Sequence, residues 1–179
     1  MKNKISRLQI IIGIVILVVI VVIGGIFAGT KGIGSAVYAN TDYGVKFTYP
    51  SDWEVIDNSA NGFFMISCKY KNSASISMDI QVLDVGNVAL SDYTAGFING
   101  TLKKEKILES NDITFANNPG HEIIYEAGSA NPDGDGRYML VYTIKGMKSY
   151  VLAFSSGKED YSSFLPAAEN IISSFQITK

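Results

Sequence analysis

The sequence predicts an α+β fold: an antiparallel β-sheet sandwiched between helices (α/β/α), preceded by one N-terminal transmembrane helix. Three observations predict it. Several stretches alternate apolar and polar residues with period two, the period of a half-buried strand. Two others repeat apolar residues at three- and four-residue spacing, which makes an amphipathic helix. Residues 8–30 form a run of 23 positions without a charge, and residues 10–28 within it are all apolar or glycine. At about 1.5 Å rise per residue, such a helix reaches roughly 28 Å, the thickness of a bilayer's hydrocarbon core.

Lys2, Lys4 and Arg7 precede that run. The positive-inside rule therefore makes residues 1–7 a cytoplasmic basic tail and sends the chain after residue 30 across the membrane. A secretory signal peptide shares the basic start, and Val37-Tyr38-Ala39 offers a small-residue cleavage site before Asn40. Signal cores, however, run to about 7–15 residues, shorter than this one. The expectation is a retained signal anchor: a single-pass membrane protein with an extracytoplasmic C-terminal domain. Gly32, Gly34 and Ser35 make residues 31–36 a flexible linker, and residues 37–179 the folded domain.

Within the domain, residues 37–49 read as a hairpin turning at Thr41-Asp42-Tyr43-Gly44. Pro50-Ser51-Asp52 then turns the chain into a strand at 53–56. Strands follow at 63–70 and 74–83. In the second, Ile76, Met78, Ile80 and Val82 alternate with Ser75, Ser77, Asp79 and Gln81, so one face is buried and the other polar. Ser91 is placed to cap a helix running to Lys106, with Tyr93, Phe97, Ile98 and Leu102 on its apolar side. Further strands are expected at 107–110, 122–127, 137–145 and 149–156, the last two joined around Gly146. Both faces of 137–145 and 149–156 are apolar, which requires cover on both sides. A helix over 159–174, carrying Tyr161, Phe164, Leu165, Ala168, Ile171 and Ile172, supplies it.

Composition narrows the function. Residues 31–179 carry 12 Lys/Arg against 17 Asp/Glu, a net charge of −5. A domain of that sign lacks the basic patch that nucleic acid or anionic lipid requires. Lys103, Lys104 and Lys106 are offset by Glu105 and Glu109 and read as a solvated helix end. Cys68 is the single cysteine, so no intrachain disulfide forms, and its place in an alternating strand makes it a core residue.

The segment Tyr43-Gly44-Val45-Lys46-Phe47-Thr48-Tyr49-Pro50-Ser51-Asp52-Trp53-Glu54 is an aromatic first hairpin closing on proline and tryptophan. With the ending from Tyr161 to Ile171-Ile172-Ser173-Ser174-Phe175, it resembles the PsbP-like family over residues 37–179. The resemblance implies the α/β/α sandwich shared by the photosystem II subunit PsbP and the Ran-binding protein Mog1. It implies little about activity, because fold alone does not carry function. The fitting comparison is with membrane-anchored PsbP-related proteins of prokaryotes, archaea included. The expected topology separates the domain from a cytosolic partner of the Ran kind.

Few residues stand out as candidates for chemistry. Tyr49, Pro50 and Trp53 are of the types that anchor interfaces, though the expected role is to hold the first hairpin on the sheet. Asn131-Pro132-Asp133-Gly134-Asp135-Gly136 has the oxygens and glycine that open a calcium loop, but position 12 is Tyr142 instead of glutamate. It reads as a turn. His121 is the only histidine; its neighbour Glu122 points to the opposite strand face, so no ligand role is assigned. Asn99-Gly100-Thr101 matches a glycosylation acceptor but lies in the predicted helix. With no nucleophile motif or phosphate loop, an enzyme is not expected: catalytic, cofactor and metal residues are none. The expected function is a membrane-tethered, non-catalytic module that binds an unknown protein partner or helps assemble a complex. The alternative is a small-ligand or metal-ion-binding surface domain.

Overall fold

The structure, a computed structural model, describes residues 26–27, 34–59, 64–128 and 135–179. Eleven strands and two helices are assigned among them. A four-stranded antiparallel sheet has the order β1-β2-β3-β11, formed by Ile26–Phe27, Ser35–Asn40, Val45–Pro50 and Gln176–Ile177. The remaining strands are β4 (Trp53–Asp57), β5 (Phe64–Tyr70), β6 (Ser77–Asp84), β7 (Lys106–Phe115), β8 (Asn118–Ala127), β9 (Gly136–Lys145) and β10 (Lys148–Ser156). They make a seven-stranded antiparallel sheet in the order β4-β5-β6-β10-β9-β8-β7. Helix α1 is Leu90–Gly96, continued by a π-helical turn over Phe97–Thr101, and helix α2 is Tyr161–Ser174.

The large sheet is buried on both faces by different elements. On one face, Phe64, Ile66, Cys68, Met78, Ile80, Leu152 and Phe154 pack with Tyr161, Ala168 and Ile171 of α2 and with Val45, Phe47 and Tyr49 of the small sheet. On the other, Tyr93, Phe97 and Leu102 pack on Ile123, Tyr125, Tyr138, Leu140, Tyr142 and Val151. The sandwich is thus a helix, a sheet, and a layer made of a helix plus a second small sheet. That second sheet was not expected. It forms because Gln176 and Ile177 follow α2 directly and pair with Lys46 and Val45.

Several boundaries differ from the sequence reading. Residues 8–25 and 28–30 of the expected membrane helix lie outside the described residues, but Ile26–Phe27 are a short strand paired with Ser35 and Ala36. The linker accordingly gives up Ser35 and Ala36 to β2, while residues 31–33 lie outside the described set. No helix among the described residues is long and apolar enough to cross a membrane.

The first helix begins at Leu90, one residue before the expected cap, with Ala89 in the capping position. It stops at Thr101 because of the π turn. Five residues separate Phe97 from Leu102, and an α-helix would turn them to different sides. The Leu102 amide instead bonds the Phe97 carbonyl at 2.8 Å, a five-residue step that keeps both side chains buried.

The largest departure is at 106–121, where a short strand was expected and a full hairpin is found. Phe115 and Asn118 close it around Ala116 and Asn117, whose φ values of 48° and 62° are both left-handed. Two such residues define the turn that suits strand twist.

Candidate functional site

Helix α1 and its π turn cover only part of their face of the large sheet. Over β5, β6 and β10 the face is a groove of about 440 Å³. Strand alternation places Met65, Ser67 and Lys69 of β5, Ser77, Asp79, Gln81 and Leu83 of β6, and Val151, Ala153 and Ser155 of β10 along it. Phe97 and Leu102 from the π turn, with Tyr125, Tyr138 and Leu140, form its apolar wall. The polar row predicted for the strand at 74–83 is therefore the floor of this groove.

The floor is held by its own hydrogen bonds. The Ser67 hydroxyl donates to Asp79 Oδ1 at 2.6 Å and accepts from Asn58 Nδ2 at 3.3 Å. Ser77 and Ser155, on neighbouring strands, share a hydrogen bond of 2.9 Å. At one end, Lys158 pairs with Asp135 at 2.7 Å. A side chain entering the groove meets an aromatic wall on one side and hydroxyl and carboxylate groups on the other. The lining also includes Lys69 and Gln81, so the groove offers hydrogen-bond donors and acceptors beside its apolar wall.

A second polar constellation stands at the far side of the same sheet face. His121 is 8 % exposed. Its Nδ1 lies 2.7 Å from Asp112 Oδ1 and its Nε2 lies 2.9 Å from the Ser110 hydroxyl. Asp112 and His121 are directly paired across β7 and β8, while Ser110 stands two residues from Asp112 on the same side. The imidazole also lies against the Tyr142 ring, 5.9 Å between centroids. Tyr142 in turn donates to Thr94 of α1 at 2.9 Å, and burial pushes its phenol up to about 12. A shallow recess lined by Leu90, Ser91, Thr94, Ile113, Pro119 and Gly120 opens onto Asp112 and His121.

This constellation was missed in the sequence. The sequence reading places His121 at the start of a strand, beside acids such as Glu122. Glu122 does face the other way, but β7 runs on through Asp112 and brings two partners across the ladder. The available signal was the alternation Ser110, Asp112, Thr114 ahead of Ala116-Asn117-Asn118-Pro119.

The other candidates resolve simply. Tyr49 and Trp53 are 5 % and 2 % exposed and belong to the core, so they form no binding surface; Pro50 ends β3. Cys68 is fully buried, and burial pushes its thiol far up, which keeps it protonated and inert. Residues 131–134 of the calcium-like turn lie outside the described residues, and Asp135 is committed to Lys158. No group of three His, Cys, Asp or Glu side chains among the described residues is arranged to hold a metal ion. Asn99 is exposed within the π turn. Lys103 and Lys104 are solvated, and Lys106 opens β7 and reaches Glu126 at 3.4 Å.

No family model and no curated protein matches the chain. Solved structures do. The solution structure of cyanobacterial PsbP (CyanoP) from Synechocystis aligns with a TM-score of 0.61 at 14 % identity, covering 84 % of this chain and 97 % of that one. LpqN of Mycobacterium tuberculosis, described as involved in cell envelope biogenesis, aligns with a TM-score of 0.53 at 14 % identity, covering 83 % and 93 %. The domain therefore has a PsbP-like fold: a mostly antiparallel sheet with two helices. At this identity the likeness extends to fold and no further.

Proposed function

We propose that the chain is a membrane-tethered, extracytoplasmic domain that binds a protein partner through the groove beside the π turn. The groove carries the reading: about 440 Å³ of concave surface with an aromatic wall and a polar floor. Such a surface seats an apolar side chain of a partner while its serines and Asp79 satisfy the partner's polar groups. The tether rests on residues 8–25, which remain uncharged and apolar apart from Gln9. Eighteen helical residues rise about 27 Å, within the range of a spanning helix. One fold neighbour, LpqN, is described as involved in cell envelope biogenesis, which agrees with an outward-facing position.

The groove's volume also lies within the range of small-molecule pockets, about 300–1,000 Å³, so a small organic ligand is the second reading. The metal-ion form of that alternative finds no donor set among the described residues.

Co-purification from native membranes tests the binding role. The full-length chain is expected to bring down a defined partner, and Ala153→Arg, which fills the floor from a half-buried position, is expected to abolish that association while the chain stays folded. A chain that is monomeric and partner-free, or an association indifferent to Ala153→Arg, would count against the groove.

A further inference from the structure

We propose that Ser110 is a nucleophile for acyl transfer, activated by His121 and Asp112, acting on small carboxylic esters that reach it from solvent at the exposed edge strand β7. This goes beyond the binding role and does not depend on it, since the relay and the groove occupy different parts of the sheet. It also departs from the expectation that the chain has no catalytic apparatus.

The connectivity is what acyl transfer needs. Asp112 accepts from Nδ1 of His121 at 2.7 Å, which fixes the imidazole tautomer with its Nε2 lone pair towards Ser110. The Ser110 hydroxyl, 2.9 Å away, donates to that nitrogen. Nucleophile, base and orienting carboxylate thus stand in one chain, each within hydrogen-bond reach of the next. The imidazole is buried, and the Asp112 side chain is 94 % exposed. Ser110 is itself exposed, so a reactant reaches it from solvent without displacing the base.

Two features of the ladder support the site. Asp112 and His121 form a pair in which neither residue bonds the other's backbone, counting alternately from the turn-closing pair Phe115 and Asn118. Side chains of such pairs stand closest, which accounts for the short contact. By the same alternation the backbone amides of Ser110 and Asp112 point away from β8. β7 is the end strand of the sheet, so those amides face its open edge. The Ser110 amide, the nearer of the two, is the donor available to an oxyanion formed at Ser110.

The reaction balances without a cofactor. Ser110 Oγ bonds to the ester carbonyl carbon as its proton passes to His121 Nε2. The tetrahedral adduct breaks its bond to the alkoxide, which takes the proton from Nε2 and leaves as the alcohol. Water, deprotonated by the same nitrogen, then attacks the acyl-serine and releases the carboxylic acid. The sum is ester plus water giving acid plus alcohol.

The test uses the full-length chain in detergent, treated with a fluorophosphonate probe and mapped by peptide mass spectrometry. One adduct on Ser110 is expected, absent in Ser110→Ala and formed about 100-fold more slowly in His121→Gln. Asp112→Asn, at an exposed position that the fold does not need, is expected to slow it as well and guards against misfolding of the histidine variant. Hydrolysis of p-nitrophenyl acetate should fall in the same order. No adduct, an adduct on another residue that survives Ser110→Ala, or Ser110 labelling at an unchanged rate in both His121→Gln and Asp112→Asn would overturn the proposal.

Discussion

Glu122 shows how a single strand position couples to solution conditions. It lies on the α2 face of β8, and burial, then the charges of Glu109 and Glu169, raise its carboxyl above the usual carboxylate range. Folding therefore favours the protonated form. The stability associated with it is present at low pH and is lost as pH rises through the raised value. Glu122→Gln mimics the protonated acid, so it should raise the melting temperature at pH 7. The difference from the parent should shrink to nothing below about pH 4, where both forms are neutral. Equal melting temperatures at pH 7, or a gap that persists at pH 4, would contradict this. Glu126, two residues on, behaves oppositely: Arg137 at 2.7 Å and then Lys106 hold its carboxyl below the usual range. Its contribution is kept at neutral pH and lost only in stronger acid.

At the scale of elements, the β7–β8 hairpin decides most of what was unexpected. Its turn places Ala116 at a φ of 48°, where a Cβ meets the following carbonyl. Ala116→Gly should relieve that strain and stabilise the chain by about 0.5–1 kcal/mol, read as a higher urea midpoint at unchanged slope. An unchanged or lower midpoint would mean that the turn is not left-handed at this position. The same alanine explains why the hairpin was hard to read, since asparagine or glycine would have announced the turn. Without it, residues 111–121 carry no element in the sequence reading, and His121 has neither of its β7 partners there. Strands with an unbroken period were readable: Ile76, Met78, Ile80 and Val82 point to the core as expected, and the opposite row forms the groove floor. The π turn was not, because a five-residue step between Phe97 and Leu102 has no signature in a 3.6-residue pattern. The two-residue strand β11 is too short for any period to register. Both candidate sites were thus legible only in part: the serine and Asp79 row was visible, whereas its aromatic wall and the His121 relay depend on tertiary placement.

The whole molecule combines a fold carried in the described residues with a proposed tether carried in the sequence before them. On the proposed topology an acidic domain gains nothing from charge attraction to anionic lipid, so the tether falls to the apolar run at residues 8–25. It also keeps its only thiol silent, since Cys68 is fully buried and protonated. That silence makes the most direct measurement possible. A cysteine introduced at exposed Lys46 becomes the one reactive thiol. Cells stripped of any outer layer are treated with a membrane-impermeant maleimide, and membranes are then washed with carbonate. The account predicts full-length Lys46→Cys chain in the washed membrane, labelled before lysis to the same extent as after it. Labelling only after lysis would reverse the orientation, and a soluble chain beginning at Asn40 would remove the tether.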